Sequence, residues 1–472
     1  MKLFIYGAAG EVTGSCYVLE TAQARVMIDF GLHQGGREED DHNRTRLPPE
    51  LGRFDAVVLT HAHIDHIGRV PMLTAANYKG SIFSSKATCD LVPIMLRDTA
   101  RLQEADAARE ARRGREHSRP ALPALYTSDD VEKILPQLRP LAMESLTQVA
   151  PGVRVRLVDS GHMLGSASIE LRATDGPGKP ERVIIFSGDI GPNGVPLLRD
   201  PRCPAPRDAT NVDLAIMEST YGDRDHRPLG ETVDEANQIV REAAWDKQKI
   251  LIPAFAVGRS QVIIYYLGLL FQSGRAPRFP VYLDSPMAIQ AMELYLRHIE
   301  LLDDAAHAQI AAGTFPLKMP ELHQVGSGEE SKRLNDAPCP VAIIAGSGMC
   351  NGGRIVHHLR HGLWRKDVQI IIAGYQAVGT LGRQLVDGAK EVRIFGETIP
   401  VRAKVHTLGG FSAHAGRSEL IHWAKTLHDA ARPSRWVLTH GEDRQRQLLA
   451  DGLTPVLKQT PAMPAFGDSF DL

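Results

Sequence analysis

Residues 56–70 read AVVLTHAHIDHIGRV: an apolar β-branched run, then His61, His63, Asp65 and His66 within six residues. The run from Asp55 to Thr60 reads as a buried strand, so the polar cluster falls in the loop behind it, ahead of a helix expected to begin near Ile67. In layered α/β proteins, chemistry collects at the carboxyl ends of strands. Several imidazoles and a carboxylate on one such loop reach one or two metal ions from different directions. With 19 histidines in 472 residues, that local density is far more than a merely polar turn requires.

Further metal-competent residues stand at other strand ends. SGHMLGSAS places His162 in a glycine-flanked loop, FSGDIG places Asp189 behind RVIIFSG, and VLTHGE places His440 behind the strand Arg435 to Thr439. Each alone is a weak signal, since a lone histidine at a strand end is usually structural. Together with the first cluster they make a full dinuclear set, in which Asp189 is suited to bridge two ions. The same alternation of apolar strands and helices runs through KILIPAF, PVYLDS, PVAIIAGS and VQIIIAGY, with helices at ETVDEANQIVREAAWDK and RSQVIIYYLGLLF. It indicates α/β layers throughout.

Composition narrows the class. A chain of 472 residues is long for one domain, and 43% hydrophobic with 23% charged residues is globular. No run long enough to span a membrane and no signal-peptide pattern appear, so a cytoplasmic protein without a membrane partner is expected. Cys16, Cys89, Cys203, Cys339 and Cys350 form no C-x-x-C pair and read as reduced thiols. The net charge of −2 announces no extended nucleic-acid surface, so a nucleic-acid role would have to be local. The segment Arg101 to Pro120 reads as a charged helix breaking into an arginine-rich loop; its interleaved charges fit a solvated face better than an RNA-contacting arm.

The set His61, His63, Asp65, His66, His162, Asp189 and His440 resembles that of the β-CASP nucleases of metallo-β-lactamase fold. The likeness extends over essentially the whole chain, toward the branch containing the cleavage and polyadenylation endonuclease and its compact prokaryotic relatives. The resemblance implies an αββα sandwich interrupted by an inserted α/β domain, with segments 1–222, 223–408 and 409–472. Roughly 250 residues separate Asp189 from His440, far beyond loops of about 12–15 residues, which fits an insertion. It also implies two zinc ions, one held by His61, His63 and His162, the other by Asp65, His66 and His440, with Asp189 between them. Asp29 in MIDFG corresponds to an acidic organiser rather than a ligand. Glu218 in MESTYG, His414 in GFSAHA and His440 in LTHGE match the family's markers, and histidine at the last position favours RNA over DNA. Water, not the ribose 2′-OH, would attack, leaving 5′-phosphate and 3′-OH ends. His414, oriented by Glu218, would protonate the leaving oxygen. Endonucleolytic cutting of single-stranded RNA, in processing or decay, is the expected activity, and a homo-oligomer is compatible with it. Relative to larger family members, neither an N-terminal KH extension nor the C-terminal domain of ribonuclease J is expected.

Two stretches suit phosphate. In PVAIIAGSGMCNGGRI a strand passes to a helix through Gly346, Ser347, Gly348, Gly352 and Gly353, where backbone N–H groups would reach an anion. A dinucleotide fingerprint fails, because Asn351 stands where its third glycine belongs; a ligand-free tight turn is the plain alternative. Arg259 in AFAVGRSQ and Arg383 in GTLGRQL begin helices and would neutralise phosphate, or are ordinary surface arginines. Two other functions share this fold: a non-catalytic RNA-binding scaffold, which the filled ligand positions disfavour, and a small-ester or thioester hydrolase, which would need neither Glu218, His414 nor an insertion.

Overall fold

Alternation of side-chain direction along its strands builds a two-sheet sandwich from the two ends of the chain. In the strand Glu181–Phe186, Ile184 and Phe186 bury into one apolar cluster, while Val183 and Ile185 bury into another. The first cluster lies between two sheets. One has the spatial order Ser469–Asp471, Lys2–Ile5, Tyr17–Glu20, Arg25–Ile28, Ala56–Val58, Ser81–Ser85, Leu138–Leu141. The other runs Trp436–Thr439, Leu214–Glu218, Glu181–Phe186, Ala167–Thr174, Val153–Asp159, Thr147–Ala150. The second cluster is closed by Leu420, Trp423 and Leu427 of helix Arg417–Ala431 and Leu449 and Leu453 of helix Asp443–Leu457. Helix Lys86–His117 covers the outer face of the first sheet. The layers are therefore αββα.

This computed structural model describes residues 1–472 apart from 36, 50–52, 118–121, 209–210, 375 and 378. The described residues form two units: Met1–Asn193, Asp200–Asp225 and His414–Leu472 in the sandwich, Gly194–Arg199 and His226–Ala413 in the other. The unit edges thus fall a few residues beyond 222 and 408. Residues 194–199 belong with the second unit, because Leu198 bridges Leu302 and Leu197 N donates to Asp303 Oδ2.

The second unit is built on a parallel sheet ordered Leu322–Gln324, Val281–Asp284, Val341–Ala345, Lys249–Pro253, Val368–Ile372, Lys404–Thr407. Its central strands are buried at every position, as a sheet covered on both faces requires. Three sequence expectations are corrected. Helix Lys86–His117 continues through the arginine-rich stretch that was expected to be a loop, whose last residues, 118–120, lie outside the described residues. The helical turn after His63 starts at Ile64, not Ile67, so Asp65 and His66 ride on it. Arg383 lies inside helix Leu381–Val386, whose N-cap is Thr380.

Register brings the strand ends of the sandwich together. Ile28 pairs with Val58 in parallel, so Asp29 and the His61 loop emerge side by side. Strands Glu181–Phe186, Leu214–Glu218 and Trp436–Thr439 are also mutually parallel, and Glu218 is in register with Thr439. The turn carrying Asp65 and His66 is held by its carbonyls: Leu32 N donates to Ile64 O, Ser15 N to Asp65 O and Phe30 N to His66 O. Gly31 makes this approach feasible, since a Cβ there would lie 1.5 Å from Asp65 O.

Gly31→Ala is therefore expected to cost about 1–3 kcal/mol or more, while Gly230→Ala, on an exposed first turn with nothing within 4 Å, should be neutral or stabilise by up to about 1 kcal/mol. Chemical denaturation of the two variants beside the parent checks both signs.

Candidate metal centre

The sandwich brings the seven expected metal ligands together, with Asp29, Glu218 and His414 against them. His61 Nε2 lies 3.2 Å from His63 Nδ1, and His162 Nε2 lies 2.9 Å from the same nitrogen. His61 Nε2 and His162 Nε2 are both 3.5 Å from Asp189 Oδ2. On the other side, His66 Nε2 is 3.2 Å from His440 Nε2 and 3.2 Å from Asp189 Oδ1. His440 Nε2 lies 3.4 Å from Asp65 Oδ2 and 3.6 Å from Asp189 Oδ1. Each carboxylate oxygen of Asp189 thus faces its own set of ligand atoms.

These separations suit metal. A tetrahedral zinc with bonds of about 2.0–2.1 Å has ligand–ligand edges of about 3.3 Å. Asp189 is 2% exposed, and its Oδ1 is buried without accepting a hydrogen bond, a costly state unless a cation answers it. The donor set, five imidazoles and two carboxylates, is that of a borderline divalent ion.

Outer hydrogen bonds select the tautomers. Thr60 Oγ1 donates to Asp29 Oδ2 at 2.7 Å and so accepts from His61 Nδ1 at 3.0 Å. Asp29 Oδ2 also accepts from His66 Nδ1 at 2.8 Å, and Asp29 Oδ1 from Thr60 N. Thr220 Oγ1 donates to the carbonyl of His440 and accepts from its Nδ1 at 3.0 Å. All three rings are left with Nε2 lone pairs toward the cluster. Ser166 Oγ accepts from His162 N and Met163 N, fixing the loop that carries His162. Thr60, Thr220 and Ser166 were missed from sequence; the signal for the first two is a hydroxyl placed one residue before His61 and two after Glu218.

Electrostatics follow the same division. Burial holds His61 and His63 below the usual imidazole range, keeping them neutral as ligands must be. Burial opposes charge on Asp65, but its hydrogen bond with His440 and nearby imidazoles bring it down to about 2. Glu218 Oε1 accepts from Ile190 N at 2.6 Å and lies 3.3 Å from His414 Nδ1. Burial works against protonating His414, yet the Glu218 carboxylate prevails and raises it to about 9. His414 Nδ1 lies 4.0 Å from Asp189 Oδ2, and its side chain is 21% exposed.

A family model of the metallo-β-lactamase superfamily matches residues 9–226, the Beta-Casp domain residues 260–385 and the Zn-dependent metallo-hydrolase RNA specificity domain residues 398–460. A ribonuclease of Thermus thermophilus is 38% identical over 99% of this chain and 99% of its own length. The chain belongs to the β-CASP family of metallo-β-lactamase-fold nucleases. Transcription termination factor FttA of Methanocaldococcus jannaschii is 31% identical over 98% of this β-CASP chain and 70% of the relative. A crystal structure of a protein of unknown function from Enterococcus faecalis V583 aligns with all of this chain and 99% of that one at TM-score 0.54 and 14% identity, a shared fold.

The four residues expected to meet phosphate lie in the second unit of this β-CASP protein. Ser347 Oγ accepts from Asn351 N at 3.1 Å and Gly352 N at 3.3 Å, closing its own loop. Gly348 is covered by Phe255, whose ring a Cβ would meet at 2.7 Å. Arg259 opens helix Arg259–Gln272 with its guanidinium beside Gly374. Arg383 is paired with Asp387, Nε to Oδ1 at 2.9 Å, so its charge is already partly answered.

Asp29→Asn replaces a double acceptor with a group that presents only one acceptor oxygen. Metal affinity should fall about 10–100-fold with the fold intact, measured by competition with a chromophoric chelator alongside thermal melting.

Proposed function

We propose that this chain is a zinc-dependent ribonuclease that cuts single-stranded RNA endonucleolytically in the cytoplasm, in RNA processing or decay. The carrying observation is the Asp189 carboxylate, one oxygen toward each ligand set, in a chain whose residues 398–460 match an RNA specificity domain. The names of the relatives agree: one is a ribonuclease and another an RNase J-like protein. No helix among the described residues is long and apolar enough to cross a membrane.

His61, His63, His162 and Asp189 are assigned to one zinc, and Asp65, His66, His440 and Asp189 to the other. When held by these residues, zinc would supply a water whose pKa is lowered from about 15.7 toward about 7 and would offset charge on the phosphoryl oxygens. The rest falls to the protein. Asp29, Thr60 and Thr220 hold the imidazole protons of His66, His61 and His440 on the far side of their rings, so none of these three presents an N–H group to the metal. His414 acts as the general acid: Glu218 engages Nδ1, leaving Nε2 to carry the proton passed to the departing 3′-oxygen. Such a donor contributes about 10²–10⁴-fold in rate.

Downstream fragments should carry 5′-phosphate, which makes them substrates for a 5′-phosphate-dependent exonuclease; 2′,3′-cyclic phosphate on the upstream fragment would exclude attack by water. His414→Ala should keep zinc and RNA binding yet lose about 10²–10⁴-fold in cleavage. An RNA with a better leaving group at the scissile bond should recover much of that loss. Zinc lost with the side chain, or no recovery, would remove His414 from the acid role.

A further inference from the structure

A second cluster of metal-competent side chains lies outside the centre, in the same sandwich unit. Glu11, His33 and His42 each offer one ligand atom, and these atoms lie within 4.8 Å of one another. Glu11 Oε2 is 3.2 Å from His33 Nδ1, the edge length expected of a tetrahedral zinc site, about 3.3 Å. The two rings meet edge to face with centroids 5.6 Å apart. His33 is 1% exposed, and its Nε2 is buried with no hydrogen-bond partner.

The surroundings hold these residues for a reason other than their own pairing. His33 N donates to Asn43 Oδ1 at 2.7 Å, and Asn43 Nδ2 returns a bond to His33 O at 2.7 Å. This ties the loop after strand Arg25–Ile28 to helix Arg37–Thr45, which carries His42. Gly14 lets the His33 ring in, since a Cβ there would meet it at 2.4 Å. Arg46 Nη1 takes the other oxygen of Glu11, Oε1, at 3.1 Å, leaving Oε2 on the histidine side. Burial, only partly offset by Glu11, keeps His33 below its usual range and so neutral, the form that ligates.

We infer that Glu11, His33 and His42 form a separate binding site for one borderline divalent transition-metal ion of the zinc class. Two imidazoles and one carboxylate are a known zinc donor set with a further position for water. Arg46 beside Glu11 makes the site weaker than the main centre. The ion would brace the rim of that centre, because Glu11 O accepts from Gly441 N beside His440, and Ser15 N donates to Asp65 O.

The test uses the full chain with zinc in its main centre, dialysed against Co²⁺ alone, with bound cobalt and retained zinc counted separately and the visible cobalt spectrum recorded. Wild type should take up one Co²⁺ beyond its retained zinc, with the intense visible bands of a four-coordinate ion. Glu11→Gln and His42→Ala should each weaken that uptake more than about 100-fold, beyond the roughly 10–100-fold cost of losing a supporting contact, with zinc content and circular dichroism unchanged. Glu11→Gln preserves shape and decides the matter if His42→Ala does not fold. No cobalt beyond displaced zinc, or uptake undiminished in Glu11→Gln, would overturn the proposal. A fault in the main-centre assignment would appear separately, as missing zinc before cobalt is added.

Discussion

One buried carboxylate organises this protein. Asp189 follows the strand Glu181–Phe186 and sits between two groups of imidazoles, Oδ2 toward His61 and His162, Oδ1 toward His66 and His440. Without a cation such a cluster sets several desolvated nitrogens against one another, and folding alone has little to offset that. A cation bound there would couple metal affinity to folding. The register of three parallel strands, with Phe186 opposite Ile216 and Glu218 opposite Thr439, puts Asp189, Glu218 and His440 at one edge. A slip of one residue would turn each to the other face.

The residues that gather around Asp189 were legible because H-x-H-x-D-H, a distant histidine, a distant aspartate and a terminal histidine announce themselves by type and by following apolar strands. What orients them was not. Thr60 and Thr220 look like ordinary strand-end residues, yet they set the tautomers of His61 and His440. Their role depends on which atoms folding brings within 3 Å. The same holds for Gly31, where the spacing of MIDFG carries no trace of the Asp65 carbonyl packed against it.

Element type was easier to read than element ends. The strands of the second unit, buried at every position, were plain as VAIIA and VQIII. By contrast the arginine-rich stretch within Arg101 to Pro120 was expected to be a loop, while the helix runs on to His117. Local propensity is a weak prior there. The glycine loop after Val341–Ala345 was expected to cradle an anion, with a tight turn as the alternative, and its Ser347 hydroxyl accepts from Asn351 N and Gly352 N. Backbone satisfaction of that kind is invisible in a string of letters.

The central claim is that two ions share Asp189 and that cleavage needs both. Its most direct test strips the protein with a chelator, returns zinc in steps, and measures zinc per chain by atomic emission alongside the RNA cleavage rate at each step. The account predicts cleavage returning as the second of two tightly held zinc ions binds, before any ion enters the weaker Glu11 site. Full cleavage by protein holding almost no metal would contradict it.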